Sequence, residues 1–252
     1  MKISERKQHI LKTLQEKGSV DIAELADQLE VSSMTVRRDL KALATNGAVT
    51  IEQGTAVLND GALREYDLLF NHGVNVEQKR RIADYCAGLV SEGDSVFLDA
   101  GTTVKEIALE LRGKRNVNLL TDSMLAANAV AGLKHSKLIM CPGEYRELSA
   151  AFLGPLMDDF VRNFQIDVLF LSTEGIDLDG VSVVDVIDGH SKRVLIEQAR
   201  KVVCVADSSK FGKSLFYNVA PLDKIDLIVT DSGLGDEEFD AMVQAGNVIE
   251  RV

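Results

Sequence analysis

Apolar residues recur at helical spacing through the first fifty positions. Ile3, Ile10, Leu11 and Leu14 predict an amphipathic helix of about four turns, closed by Gly18. A second helix follows, with Asp21 as its cap, Glu24 three residues on completing a capping box, and Ile22, Leu25, Ala26 and Leu29 as its apolar stripe. Val31-Ser32 reads as a tight turn with a capping serine. Ser33 through Leu43 forms a third helix that ends near Asn46-Gly47, with Val36, Leu40 and Leu43 turned inward. Val49-Thr50-Ile51 and Ala56-Val57-Leu58 then flank Glu52-Gln53-Gly54-Thr55, a short hairpin. Three helices and a hairpin predict a winged helix-turn-helix over residues 1–58, although the same periodicity also fits a small helical bundle.

Residues 59–76 show no sustained period and contain Asn59-Asp60-Gly61, which predicts a linker. From residue 77 to 252 the pattern alternates. A helix through Lys79, Ile82 and Leu89 leads into the apolar run Ser95-Val96-Phe97-Leu98. Further strands are expected at 117–120, 137–140, 167–171, 202–206 and 227–230, separated by helical stretches. Such alternation predicts a Rossmann-like α/β domain, a mostly parallel sheet covered on both faces.

Composition narrows the picture. At 252 residues, with 46% hydrophobic and 27% charged positions and only three prolines, the chain reads as a globular protein of two domains. No stretch approaches the roughly 18 apolar residues of a membrane span, and Met1 to Lys7 runs into a charged helix without a signal-peptide core, so a cytoplasmic protein with no membrane contact is expected. Cys86, Cys141 and Cys204 lack any paired spacing, and the four histidines are scattered, so buried structural thiols and no metal or other cofactor are expected. The net charge of −11 is unevenly spread: residues 1–58 carry eight basic and eight acidic residues, and the whole excess of acid lies beyond them. Nonspecific attraction to a polyanion would therefore be weak, and binding would depend on a few placed cations.

Those cations have a place. The outward face of the third helix carries Ser33, Thr35, Arg37, Arg38 and Lys41, with Ser32 at its start: short hydroxyls near the N-terminus and cations further along. A helix entering the major groove needs that order, though Arg37-Arg38 also fits a solvated face. In the larger domain, residues just after each strand are polar, and ligands gather at the carboxyl ends of parallel strands. Asp99-Ala100-Gly101-Thr102-Thr103 pairs a glycine with two threonines opening a helix, which suits a phosphate or an ordinary strand-to-helix turn. Thr121-Asp122-Ser123, Ser172-Thr173-Glu174-Gly175 and Asp207-Ser208-Ser209-Lys210 follow later strands. Lys210 reads either as a phosphate partner or as a surface lysine.

The string Val31-Ser32-Ser33-Met34-Thr35-Val36-Arg37-Arg38-Asp39-Leu40 closely resembles the recognition helix of the DeoR family of bacterial regulators of sugar metabolism. Residues 77–252 resemble the family's sensor domain through Asp99-Ala100-Gly101-Thr102-Thr103, Glu174-Gly175-Ile176-Asp177, Ser191-Lys192-Arg193 and Asp207-Ser208-Ser209-Lys210-Phe211. The resemblance implies a sequence-specific repressor of a carbohydrate-utilisation operon. Ser32, Ser33, Thr35, Arg37, Arg38 and Lys41 would face double-stranded operator DNA. The sensor domain, related to ribose-5-phosphate isomerase, would hold a phosphorylated sugar or polyol on Gly101, Thr102 and Thr103, with Asp99, Asp122, Glu174, Lys192 and Lys210 as further contacts. A homodimer or homotetramer is implied. One departure stands out: the family's wing usually carries basic residues, whereas this one reads Ile51-Glu52-Gln53-Gly54-Thr55, and an acidic wing repels phosphate.

The rival reading is a sugar-phosphate isomerase with an appended DNA-binding module, for which Glu174, Asp177 and Lys192 are the available acid–base types. The isomerase's lysine and glycine run is missing. The corresponding stretch is Asp185-Val186-Ile187-Asp188-Gly189-His190-Ser191-Lys192, so sensing rather than catalysis is expected.

Overall fold

The computed structural model describes residues 6, 9, 10, 13, 14, 17–44, 49–52, 54–58, 74–147 and 149–252. The chain divides into two compact units, Met1–Val74 and Asn75–Val252. The expectations for Ile3, Leu11, Asn46-Gly47, Gln53, the Leu43 side chain and most of the linker at 59–76 lie outside the described residues.

In the first unit the described residues before Gly18 are helical, and Ile10 and Leu14 are fully buried. Gly18, at φ 73°, turns the chain into strand β1 (Ser19–Asp21). Helix α1 (Ile22–Gln28), helix α2 (Ser33–Ala44) and strands β2 (Val49–Glu52) and β3 (Thr55–Leu58) follow, the strands forming an antiparallel sheet in the order β1-β3-β2. Asp21 caps α1 as its position predicts, accepting from the amides of Ala23 and Glu24. The capping box does not form: Glu24 Oε1 takes Lys17 Nζ at 2.8 Å and Gln28 Nε2 at 3.0 Å, because a long carboxylate on an open face finds a cation more favourable than the cap amide. Strand β1 was not expected, since only Val20 in it is apolar; it forms because β3 supplies a partner edge.

The second unit opens with α3 (Val76–Gly88), so the last residue of the expected linker already belongs to a helix. Its main sheet contains β4 (Ser95–Leu98), β5 (Asn118–Thr121), β6 (Lys137–Met140), β9 (Val168–Ser172), β12 (Val202–Val205), β14 (Leu227–Thr230) and β15 (Ile249–Arg251). All seven are parallel, in the order β15-β14-β12-β9-β4-β5-β6. Alternate residues feed two cores: Val96, Leu98, Val168 and Phe170 on one face, Phe97, Leu169, Leu171 and Cys204 on the other. Helices α3, α4 (Thr102–Glu110) and α5 (Met124–Val130) cover the first face. Helices α6 (Pro155–Val161), α7 (Val186–Gln198) and α8 (Asp236–Gln244) contribute to the second. Burial on both faces explains why these strands read as continuous apolar runs.

Two smaller β elements lie outside that pattern. The hairpin β7 (Glu144–Arg146) and β8 (Ala151–Leu153) folds back on the end of β5, where the Phe152 amide donates to the Asp122 carbonyl at 2.9 Å. Strands β10 (Gly175–Asp177), β11 (Gly180–Val183) and β13 (Tyr217–Ala220) form an antiparallel sheet. Strand order reverses beside β4: the chain runs outward through β5 and β6, then returns to the other side of β4 as β9. A reversal of this kind leaves a crevice at the carboxyl ends of the two strands.

Candidate functional site

At that crevice β4 delivers Asp99 and β9 delivers Ser172. The Asp99 carboxylate is fully buried, and its Oδ2 accepts from the Ser172 amide at 2.7 Å, the Ser172 hydroxyl at 2.9 Å and Lys192 Nζ at 2.6 Å. Lys192 comes from α7, is itself 2% exposed, and lies 3.5 Å from Asp188 one helical turn earlier. Burial alone would lower its pKa, but Asp188 and Asp99 reverse the sign and hold it as a cation.

The acids outnumber that cation. Both carboxyl oxygens of Asp122, at the end of β5, are buried without a hydrogen-bond partner among the described residues, as is Oδ1 of Asp99. Burial first, and Asp99 next, push the Asp122 carboxyl well above the usual range, against the pull of Lys192. Asp188 is held at about 7 by burial, which outweighs Lys192, with Asp99 and Glu174 adding repulsion. Unused acceptor and donor capacity of this kind is what a polyhydroxylated ligand can satisfy.

The glycine-threonine loop lines the same crevice. Gly101 precedes α4 and carries no side-chain cap; a Cβ there would lie 2.7 Å from the Ser172 Cβ, so the glycine is required by close packing against β9. The opening amides of α4 have no intrahelical acceptor. Thr102 is half-buried and Thr103 buried. Glu174 Oε2 accepts from the Val184 amide at 2.8 Å, tying β9's exit to the segment before α7. Lys210 stands apart. It follows β12, two strands from β4 and so about 10 Å across the sheet, where it and Lys79 help Ser209 and Asn75 hold the Asp207 carboxyl below its usual range despite burial.

The structure thus gathers Asp99, Gly101, Thr102, Thr103, Asp122 and Lys192 around one crevice, with Glu174 within electrostatic reach, and places Lys210 beside Asp207. Sequence reasoning placed Ser172 in a polar strand-end stretch without assigning it a role, since nothing in the sequence says that β9 pairs with β4, and it missed Asp188. Asp188 was detectable, because it lies four residues before Lys192 on one helix face. His190 faces Asp158 at 3.6 Å, and the three cysteines are buried and unbonded. Among the described residues no group of three His, Cys, Asp or Glu side chains could hold a metal ion.

In the first unit, Val36 and Leu40 of α2 are fully buried while Ser33, Arg37, Arg38 and Lys41 are exposed and Thr35 half-buried. The Ser32 hydroxyl caps the helix, accepting from the Thr35 amide at 3.2 Å and sharing a hydrogen bond with the Thr35 hydroxyl at 2.9 Å. Arg6 and Asp39 are withdrawn from the surface: Arg6 Nε and Asp39 Oδ2 meet at 2.5 Å, both residues buried, and pin the first helix to α2. Arg37 and Arg38 enter no ion pair among the described residues, and Glu52 on the wing is exposed.

A winged helix joined to a parallel-sheet domain with a polar crevice at its switch point defines a two-part class: a helix-turn-helix module and a ligand-sensing module in one chain. Residues 6–62 match the DeoR-like helix-turn-helix domain and residues 74–232 the DeoR C terminal sensor domain, and the chain belongs to the DeoR family. It is 34% identical over 242 residues to the HTH-type transcriptional regulator IolR of Bacillus subtilis (strain 168), covering 94% of this chain and 93% of that one. It is 30% identical over 235 residues to the glycerol-3-phosphate regulon repressor of Escherichia coli (strain K12), covering 92% of each. Among solved structures, ribose 5-phosphate isomerase A of Methanocaldococcus jannaschii is similar at a TM-score of 0.41 and 15% identity, over 54% of this chain and 55% of that one. The chain thus spans about half of that enzyme's length.

Proposed function

We propose that this chain is a cytoplasmic, sequence-specific repressor of a carbohydrate-utilisation operon, released from or recruited to its operator by a phosphorylated sugar or polyol. Ser32, Ser33, Thr35, Arg37, Arg38 and Lys41 carry the DNA contact. The phosphate sits on the opening amides of α4 with Gly101, Thr102 and Thr103, and Lys210, two strands away beside Asp207, adds only longer-range positive charge. Asp99, Asp122 and Glu174 take the hydroxyls. Lys192 serves chiefly as the counter-charge that keeps Asp99 in place, since two carboxylates already hold it. A homodimer or homotetramer presents two recognition helices, and the effector acts by binding one spacing of them better than another.

The observation that carries this reading is the polar crevice in which the buried Asp122 carboxyl oxygens have no hydrogen-bond partner among the described residues, beside a glycine-threonine helix opening at the sheet's switch point. Two relatives over nearly the full length are named as transcriptional regulators, one of them for a glycerol-3-phosphate regulon. The test is calorimetry of the full chain against sugar and polyol phosphates and their unphosphorylated counterparts, followed by operator retardation with and without the binder. The phosphorylated member should bind about 100-fold more tightly, the worth of two charge-assisted hydrogen bonds. Equal affinity would refute the phosphate cradle, and efficient turnover of the bound compound would establish the isomerase reading instead.

A further inference from the structure

The outward strip of α2 is headed by an apolar side chain. With Val36 and Leu40 fully buried, the opposite side of the helix carries Met34, Arg38 and Lys41 at i, i+4 and i+7, one row along a helix of 3.6 residues per turn. Met34 is 75% exposed, more than any other large hydrophobic residue described in the first unit. Lone exposed apolar residues are common on protein surfaces. This one occupies the centre of a face otherwise made of hydroxyls and cations, at the N-terminal end where a major-groove helix meets base edges.

Its neighbours leave it that role. The Ser32 and Thr35 hydroxyls are bonded to each other and to the helix cap, so their capacity is partly spent within the protein. Arg38, one turn along, is a long cation suited to phosphate or guanine. Met34 has no donor. Among the base edges of the major groove the matching surface is the 5-methyl group of thymine, and an unbranched thioether adapts its shape to such a contact.

We propose that Met34 is a specificity-determining residue that packs on a thymine methyl group and makes one operator position selective for thymine. This rests on the DNA-binding reading of α2. The side chain is exposed, so truncating it removes a contact with the partner and leaves the core untouched.

The full-length wild-type chain and Met34→Ala should each be used to select duplexes from a random DNA pool. The wild type should return a site with a fixed thymine in each half, and the variant should lose preference there while keeping it elsewhere. Replacing that thymine by deoxyuridine deletes only the methyl group. Wild-type affinity should then fall about fourfold, as expected for one apolar carbon returned to water, while Met34→Ala should bind both duplexes equally. Met34→Leu should retain the preference. Identical selection by Met34→Ala, or equal wild-type affinity for thymine and uracil at every thymine of the site, would overturn the assignment with DNA binding intact. A wild-type chain that retains no duplex would overturn the DNA-binding reading itself, and this proposal with it.

Discussion

Replacing Lys192 by methionine removes the cation that contacts both Asp99 and Asp188 while keeping the volume of its stem. Nζ lies 2.6 Å from Asp99 and 3.5 Å from Asp188, and the Lys192 and Asp99 side chains are 3% and 0% exposed. Solvent cannot take over the lost interaction, and among the described residues Asp99 keeps the two Ser172 donors. Breaking a buried pair from one side costs about 3–5 kcal/mol, which for a unit of this size lowers its melting temperature by about 6–20 °C. The cost should shrink as pH falls. Asp188, already held at about 7, loses the pull that lowered it, and each carboxyl that takes a proton escapes the penalty of an unpaired buried charge. Urea unfolding followed by circular dichroism at pH 7 and pH 5 reads both effects, with the transition of the winged helix as internal control. A loss below about 1 kcal/mol at pH 7, or an identical loss at both pH values, would falsify the assignment of Lys192 as the counter-charge of a buried acid cluster.

Three further outcomes are expected. Gly101→Ala forces its new Cβ to within 2.7 Å of the Ser172 Cβ, so it should destabilise the sensor unit by about 1–3 kcal/mol and weaken effector binding in calorimetry; a fully stable variant would show that the strands are not tightly apposed. Asp188 holds its proton up to about pH 7 in the folded chain and only to about 4 when unfolded, so its stabilising effect is complete below about 4 and fades as pH rises to about 7, by at most about 1.4 kcal/mol per pH unit. Asp188→Asn should flatten that part of the stability profile, and superimposable profiles would count against the raised value. If the wing approaches the DNA backbone, Glu52→Lys should steepen the logarithmic salt dependence of operator binding by about one for each wing, and an unchanged slope would place the wing away from phosphate.

The sequence by itself determined the local elements and their order. Parallel strands buried on both faces are unbroken apolar runs, so six of the seven strands of the large sheet lie within a residue of where hydrophobicity places them. Caps were equally legible: Asp21 and Ser32 satisfy amides only two or three residues away, and such local bonds need no tertiary partner. The exposed face of α2 with its hydroxyls and cations followed from helical spacing, and the two domain matches follow from strings that are contiguous along the chain.

Tertiary structure decided everything that depends on which strand lies beside which. Edge strand β15, with Ile249 its only apolar residue, and the mixed strands of the small sheet have no pattern of their own and form where a neighbouring edge completes their hydrogen bonds. Arg6 and Asp39 count as two ordinary charges in the sequence, but packing of the first helix on α2 turns them into a buried pair. Asp99 and Lys192 stand 93 positions apart and meet only because β9 pairs with β4 and α7 packs over their ends. That same pairing sets Lys192 between Asp99 and Asp188 and leaves the Asp122 carboxyl oxygens without a hydrogen-bond partner among the described residues. Charge and burial become opposing terms only once the chain has excluded water from between them, and no linear pattern encodes where that occurs.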